Sequence, residues 1–269
     1  MSKVHPTAVV EDGAQIGQDV EIGPYCVVGP KVVLGDRVKL HSHVAMAGVT
    51  TLGDECEVYP FASVGHAPQD LKFKGEQSRL IVGNRTKIRE GATLNPGTEG
   101  GGMETTIGDD CLLMTGAHVG HDCHVGNHCI LVNNGTLAGH VLVEDFAIVG
   151  GLSAVHQFVR IGKHAMIGGM TGVDSDVIPY GSVIGNRAYL SGLNIIGLKR
   201  RGFDRETIHS LRKAYRLLFA QEGTLAERVE EVSKDFEGLG PVMEIIDFLK
   251  AESMRSVCTP KYDLSLIHI

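Results

Sequence analysis

The chain has 269 residues, a formal net charge of −7, 43% hydrophobic residues, 35 glycines and no tryptophan. That balance excludes a general nucleic-acid binder, and no apolar run approaches membrane-spanning length. The six cysteines form no CxxC pair and the opening MSKVHPTAVVEDGA has no apolar signal core, so a reduced, cytoplasmic protein is expected.

The first pattern along the chain is a period of six. Val4, Val10, Ile16, Ile22, Val28, Leu34, Leu40, Met46, Leu52, Val58 and Val64 lead successive hexads, and every fifth position is small or β-branched, as at Ala8, Val20, Cys26, Val32 and Ala62. The frame breaks over an insertion near 66–79, returns in phase at Val82, breaks again near 95–106, and runs from Ile107 to Val173. Such a period fits neither an amphipathic helix nor a long alternating strand. It fits very short strands joined by corners, three per coil, stacked about 4.8 Å apart into a prism roughly 40 Å long. Leads and fifth positions then point inward and the rest outward. The in-phase return at Val82 suggests that the first insertion takes up one coil's length. Both breaks read most simply as surface excursions, though loops on a rigid scaffold often carry function.

After Pro179 the hexads fade. A helix is expected from Asp204 to Gly223, because Ile208, Leu211, Tyr215, Leu218 and Phe219 recur at helical spacing. Thr224 with Glu227 forms a capping box for a second helix, and Pro241 opens a third near 241–253. The expected organisation is therefore a β-helical domain over 1–190 and a small helical domain over 191–269 that caps the open end of the solenoid. Residues 199–216 hold seven basic and two acidic side chains, a local excess suited to an acidic partner or a phosphate-bearing substrate. The terminal SLIHI has no evident role.

The densest chemistry lies in HVGHDCHVGNHC, residues 118–129. Cys26, Cys56, Cys111, Cys123 and Cys129 occupy inward fifth positions and are expected to be core residues. The histidines do not. His124, His128 and His164 read as surface groups. Positions eighteen apart stack on neighbouring coils, which places His121, Gly139 and Gln157 in one column and Asp122, His140 and Phe158 in the next. His121, Asp122 and His140 should then cluster beside a side-chain-free backbone at Gly139. This suits acid–base work: an imidazole takes up and returns a proton near neutrality, a carboxylate orients it, and a bare N–H faces an oxyanion. A zinc site sharing histidines between subunits, as in the γ-class carbonic anhydrases, is one rival, and a non-catalytic scaffold is another.

GHDCHVGNHCILVNNGTLAGHV, then FAIVGGLSAVHQFVRIG and NIIGLKRRGF, together resemble the hexapeptide-repeat UDP-N-acetylglucosamine O-acyltransferases, over about residues 4–253. The resemblance implies a left-handed parallel β-helix followed by C-terminal helices, a homotrimer with sites between adjacent prisms, and the first step of lipid A biosynthesis. A 3-hydroxyacyl chain would pass from acyl carrier protein to the 3-hydroxyl of UDP-N-acetylglucosamine, with no cofactor and no metal. It would make His121 the general base, Asp122 its orienting partner and Gly139 the oxyanion donor. Gln69, Asp70, Lys72, His118, His140, His156, Gln157, Asn194, Arg200 and Arg201 would contact substrate, and the run from Lys199 to Arg216 would hold acyl carrier protein. Gly169 would limit acyl length, leaving room for a chain longer than about ten carbons. Ile196 stands where the family's well-known members carry an acidic residue, Arg187 where histidine is common, and NPGT (95–98) replaces a more basic loop; these departures bear on fine substrate contacts, not on the reaction class. The same fold and donor with a 3-amino sugar acceptor is the alternative reading.

Overall fold

In a computed structural model, which describes residues 2–261, the hexads wind into three sheets of 11, 9 and 8 strands, parallel throughout except for the last pair of the first. Most strands are two residues long, one outward and one inward; in Glu21–Ile22 the glutamate is exposed and the isoleucine buried. From Val20 onward the leads and fifth positions form one continuous aliphatic core. Full burial of one such side chain contributes about 1.5–3 kcal/mol, and identical spacing repeats that gain on every coil. Cys26, Cys56, Cys111, Cys123 and Cys129 are all buried and free. Their thiols donate to backbone carbonyls, as from Cys123 Sγ to the Ala138 oxygen at 3.0 Å, and burial pushes the Cys123 thiol up to about 12.

The corners explain the glycines and Asx residues. Asp36 Oδ1 accepts from the Gln18 N–H, Asp54 from Asp36, Asn84 from Asp54, Asp109 from Asn84, Asn127 from Asp109 and Asp145 from Asn127, at 2.7–2.9 Å. Each glycine before this ladder touches the next coil; a Cβ at Gly17 would lie 2.6 Å from the Gly35 carbonyl. One residue later the chain turns through positive φ. Arg37 pairs with Glu55 at 2.8 Å and Arg85 with Asp110 at 2.7 Å. Above them His128, Phe146, His164 and Tyr180 stack face to face, with ring centroids 4.6, 4.8 and 5.5 Å apart.

His164 therefore departs from expectation. It is 8% exposed rather than a surface group, because Phe203 from the C-terminal domain packs edge-on against it at 5.2 Å. The hexad position gave the direction of the ring correctly; the cover comes from another segment.

The stacking survives both insertions, and register measures them. Leu52 pairs with Val82 and Val82 with Ile107, thirty and twenty-five positions apart against eighteen on the uninterrupted coils, such as Val33 with Thr51 and Ile130 with Ile148. The first insertion thus adds two hexads, not one coil, and the second adds seven residues. The four-residue strands Val49–Leu52, Arg79–Val82 and Glu104–Ile107 lie side by side at their bases, so the second loop ends before 104 rather than at 106.

An antiparallel hairpin, Gly181–Ile184 with Tyr189–Leu193, closes the prism; the expected boundary at 190 falls inside its second strand. Among the described residues four α-helices follow: α1 (Ile195–Arg200), α2 (Arg205–Leu218), α3 (Leu225–Asp235) and α4 (Gly240–Lys250). Asp204 caps α2 and Thr224 with Glu227 makes the capping box of α3. Two details differ from the pattern. α1 is too short to show periodicity, and α2 stops at Leu218 rather than Gly223. The chain then returns along the last coil through bridges of Asp176 to Val257 and Leu190 to Pro260. The SLIHI segment lies outside the described residues.

Candidate active site

The strand His118–Val119 belongs to the nine-stranded sheet and His124–Val125 to the eight-stranded one. His121 and Asp122 turn the corner between them, Asp122 at φ 58°. The Asp122 side chain is 0% exposed. A buried carboxylate is costly unless hydrogen bonds hold its charge, and here they do. Thr98 gives its N–H to Oδ1 at 2.7 Å and its hydroxyl to Oδ2 at 2.6 Å, and His121 Nδ1 reaches Oδ2 at 2.7 Å. The Asp122 N–H donates to Thr105 Oγ1 at 2.7 Å. Because Asp122 accepts at Nδ1, the His121 proton sits there and the lone pair is on Nε2. A Cβ at Gly139 would stand 2.5 Å from His121 Cε1 and 2.6 Å from Nε2, so glycine alone fits beside this ring. The Gly139 N–H has no hydrogen-bond partner among the described residues.

His140, on the next coil, meets the His121 ring edge-on at 5.0 Å and stacks on Phe158 at 4.5 Å. Its Nδ1 is 3.8 Å from Asp122 Oδ2. Burial holds His140 below the ordinary imidazole range, against the pull of Asp122. Burial, then His121, lowers His118 as well, and His118 Nδ1 bonds Thr93 Oγ1 at 2.7 Å. Two rings whose charge burial disfavours thus flank the ring that is hydrogen-bonded to the carboxylate. Ligand atoms of His121, Asp122 and His140 do lie within 4.8 Å of one another. A cation seated among them would have to displace the His121 and Thr98 bonds that occupy Asp122.

Comparisons with known proteins reach the same family. The family model described as "Udp N-acetylglucosamine O-acyltransferase; Domain 2" matches residues 176–258, and that of the bacterial transferase hexapeptide matches 1–36, 13–48 and 104–139. An acyl-[acyl-carrier-protein]–UDP-N-acetylglucosamine O-acyltransferase of Sinorhizobium fredii is 47% identical over 96% of both chains. One of Paracoccus denitrificans is 54% identical over 76% of this chain and 77% of its own. The chain belongs to the UDP-N-acetylglucosamine O-acyltransferase family. The solved structure of a UDP-N-acetylglucosamine acyltransferase from Campylobacter jejuni superposes with a TM-score of 0.91, at 39% identity, over 96% of this chain and all of the other.

Around the corner of this acyltransferase the two loops converge. Asp70 and Lys72 lie close enough to act on the charge of His140 in opposite senses, while Gln69 is exposed. Asn95 ties the loops together by donating to the carbonyls of His66 and Ala67 at 3.1 and 3.4 Å, and Glu76 accepts from the Glu99 N–H at 3.1 Å. The Gly-rich stretch that reads as a bland excursion is the lid of Asp122: a Cβ at Gly101 would lie 2.0 Å from the Asp122 carboxyl carbon. Thr98 and Thr105 were missed for this reason. Thr105 leaves one signal, a polar residue at an inward fifth position. Exposed His156 and Gln157 sit one coil beyond Gly139, at the same corner as Phe158.

The remaining expected residues lie elsewhere on the acyltransferase chain. Asn194, Arg200 and Arg201 border a cavity of about 610 Å³ on the eleven-stranded sheet, with Ile148, Met166 and Ser182. That is not the sheet junction that carries His121, so one chain does not bring them together. Asn194 is occupied: Oδ1 caps α1 through the Gly197 N–H, and Nδ2 donates to the His164 carbonyl. Arg201 donates to the Phe146 carbonyl at 2.9 Å and lies over the Phe146 ring, while its buried Nη1 has no hydrogen-bond partner among the described residues. Arg200 is exposed. Gly169 is exposed too, and a Cβ there would meet only the Gly151 oxygen, at 3.4 Å.

Proposed function

We propose that this chain transfers a 3-hydroxyacyl group from acyl carrier protein to the 3-hydroxyl of UDP-N-acetylglucosamine, the first step of lipid A biosynthesis. The observation that carries the reading is His121, oriented through Nδ1 by a sealed carboxylate, with Nε2 free and Gly139 against it. His121 Nε2 takes the proton of the sugar 3-hydroxyl as its oxygen attacks the thioester carbon. The new C–O bond forms, the carbonyl becomes an oxyanion facing the Gly139 N–H, and Asp122 stabilises the imidazolium. As the C–S bond breaks, the same proton passes to the leaving thiol. Base and acid are one group, so the ring ends as it began.

Two further parts of the reading concern partners. Outward residues Leu112, Ile130, Ile148 and Met166 of the eleven-stranded sheet are apolar, whereas lower strands of that sheet show Lys3, Glu21, Lys39 and Glu57. A threefold assembly that buries the apolar half would carry one protomer's Arg200 and Gly169 toward the corner of its neighbour. Lys199, Arg200, Arg205, Arg212, Lys213 and Arg216 are exposed, a positive face for acidic acyl carrier protein. On this reading the chain acts in the cytoplasm. The test is turnover with acyl carrier proteins of graded chain length and with 3-hydroxyl and 3-amino acceptors. Product ester that disappears in His121→Ala, with an unchanged circular dichroism spectrum, supports the proposal; undiminished turnover by that variant overturns it.

A further inference from the structure

We infer that Arg255, on the tail that returns along the last coil, is a positioning residue that fixes His156 as a hydrogen-bond donor to the acceptor substrate. The inference rests on the proposed placement of His156 at the sugar nucleotide. Arg255 Nη2 lies 2.6 Å from His156 Nδ1, and Arg255 Nε donates to the Gln157 carbonyl at 2.9 Å. A guanidinium has only donors. His156 Nδ1 must therefore accept, and the neutral ring carries its proton on Nε2. Nδ1 also lies 3.3 Å from the Gln157 oxygen, a bond that would need a proton on Nδ1. The two cannot coexist. The arginine contact is shorter, and the Gln157 oxygen is already served by Arg255 Nε. His156 thus differs from His121 in kind: His121 presents a lone pair, His156 an N–H. An N–H suits an oxygen acceptor such as a phosphate or sugar oxygen, and cannot serve as the base.

The guanidinium is held in place from the interior. The Arg255 N–H donates to Ser253 Oγ at 3.1 Å, and that hydroxyl donates to Asp176 Oδ2 at 2.7 Å. Asp176 is 0% exposed and also takes the N–H and Nε of Arg160, at 2.8 and 2.7 Å. Its backbone closes the tail onto the coil through Ser256 and Cys258, at 2.7 and 2.8 Å. Neighbouring tail residues Ser253 and Met254 wall a cavity of about 690 Å³ together with His140 and Phe158, so the tail borders the catalytic corner.

A double-mutant cycle in the full-length enzyme tests this. In Arg255→Ala the KM for UDP-N-acetylglucosamine should rise about tenfold with kcat within about twofold, and Arg255→Lys, which keeps a donor, should recover most of the loss. Arg255→Ala should add nothing in a His156→Ala background. In the wild-type protein, ¹⁵N spectra of labelled histidine should show Nδ1 of His156 unprotonated. Independent, additive effects of the two substitutions, or a protonated Nδ1, would overturn the inference. Unchanged kinetics in His156→Ala would remove His156 from the acceptor site, and the underlying reading would fail first.

Discussion

Asp122 accepts the Nδ1 proton of His121 at 2.7 Å while Thr98, twenty-four positions earlier in the chain, closes the same carboxylate off from solvent. The proposed base and its orienting group are adjacent in sequence, yet the residue that closes the carboxylate off arrives from an insertion. This arrangement sets the expected hierarchy of substitutions.

Loss of the base should be the largest effect. His121→Ala is expected to lower kcat by about 10²–10⁴, the usual contribution of a positioned proton acceptor. Asp122→Asn keeps the shape but not the charge, and should also fall well below wild type. Steady-state turnover alongside thermal melting distinguishes a chemical defect from an unfolded protein.

Thr98→Ala removes one hydroxyl from a buried charge. A charge-assisted hydrogen bond of this kind is worth about 1.5–3 kcal/mol, so turnover should fall by roughly one to two orders of magnitude. Thr98→Ser should retain most activity. If both variants behave as wild type, the loop is not the source of the Asp122 environment.

Gly139→Ala tests the close approach. A Cβ would sit 2.5 Å from His121 Cε1, and the ring must swing away. A displacement of about 1 Å at a reacting group costs on the order of a hundredfold. The fold has no comparable reason to suffer, so melting temperature should change far less than kcat.

Gly169→Met should shorten the preferred acyl chain. A Cβ at this exposed position would meet only the Gly151 oxygen, at 3.4 Å, so the backbone accepts a side chain there. Each methylene excluded from the groove forfeits about 0.8 kcal/mol, roughly fourfold in selectivity. Competition between acyl carrier proteins of two chain lengths reads the change directly; an unchanged preference would take Gly169 out of the acyl path.

His164 gives the fold a pH dependence. Burial, then Arg201 and Lys163, depresses it from 6.5 to about 4. The unfolded chain therefore binds more protons between those values, and stability rises with pH across that window. This contribution is whole above about pH 6.5 and is lost as the pH falls toward 4. Replacing His164 by phenylalanine preserves the stack on Phe146 and Tyr180 and should flatten the melting temperature between pH 6.5 and 4. A slope identical to that of wild type would refute it.

The sequence by itself determined the prism, because a six-residue period with inward aliphatics admits one economical winding. It also determined the corner chemistry: positions eighteen apart must stack, which brings His121, Asp122, Gly139 and His140 together without reference to anything beyond the repeat. The helix caps at Asp204 and Thr224 were equally legible, since a cap is a contact within three residues. Only the tertiary structure decided what covers each corner. Thr98 and Gly101 seal Asp122, Phe203 buries His164, and Arg255 grips His156, each from a segment with no fixed offset from its target. The physical reason is that a repeat fixes register only within itself, whereas an insertion or a returning tail is placed by packing, and packing leaves no period in the chain. Arg201 shows the same limit from the other side: the resemblance of its motif suggests a contact at the nucleotide end, but where its guanidinium rests depends on Phe146, fifty-five positions away.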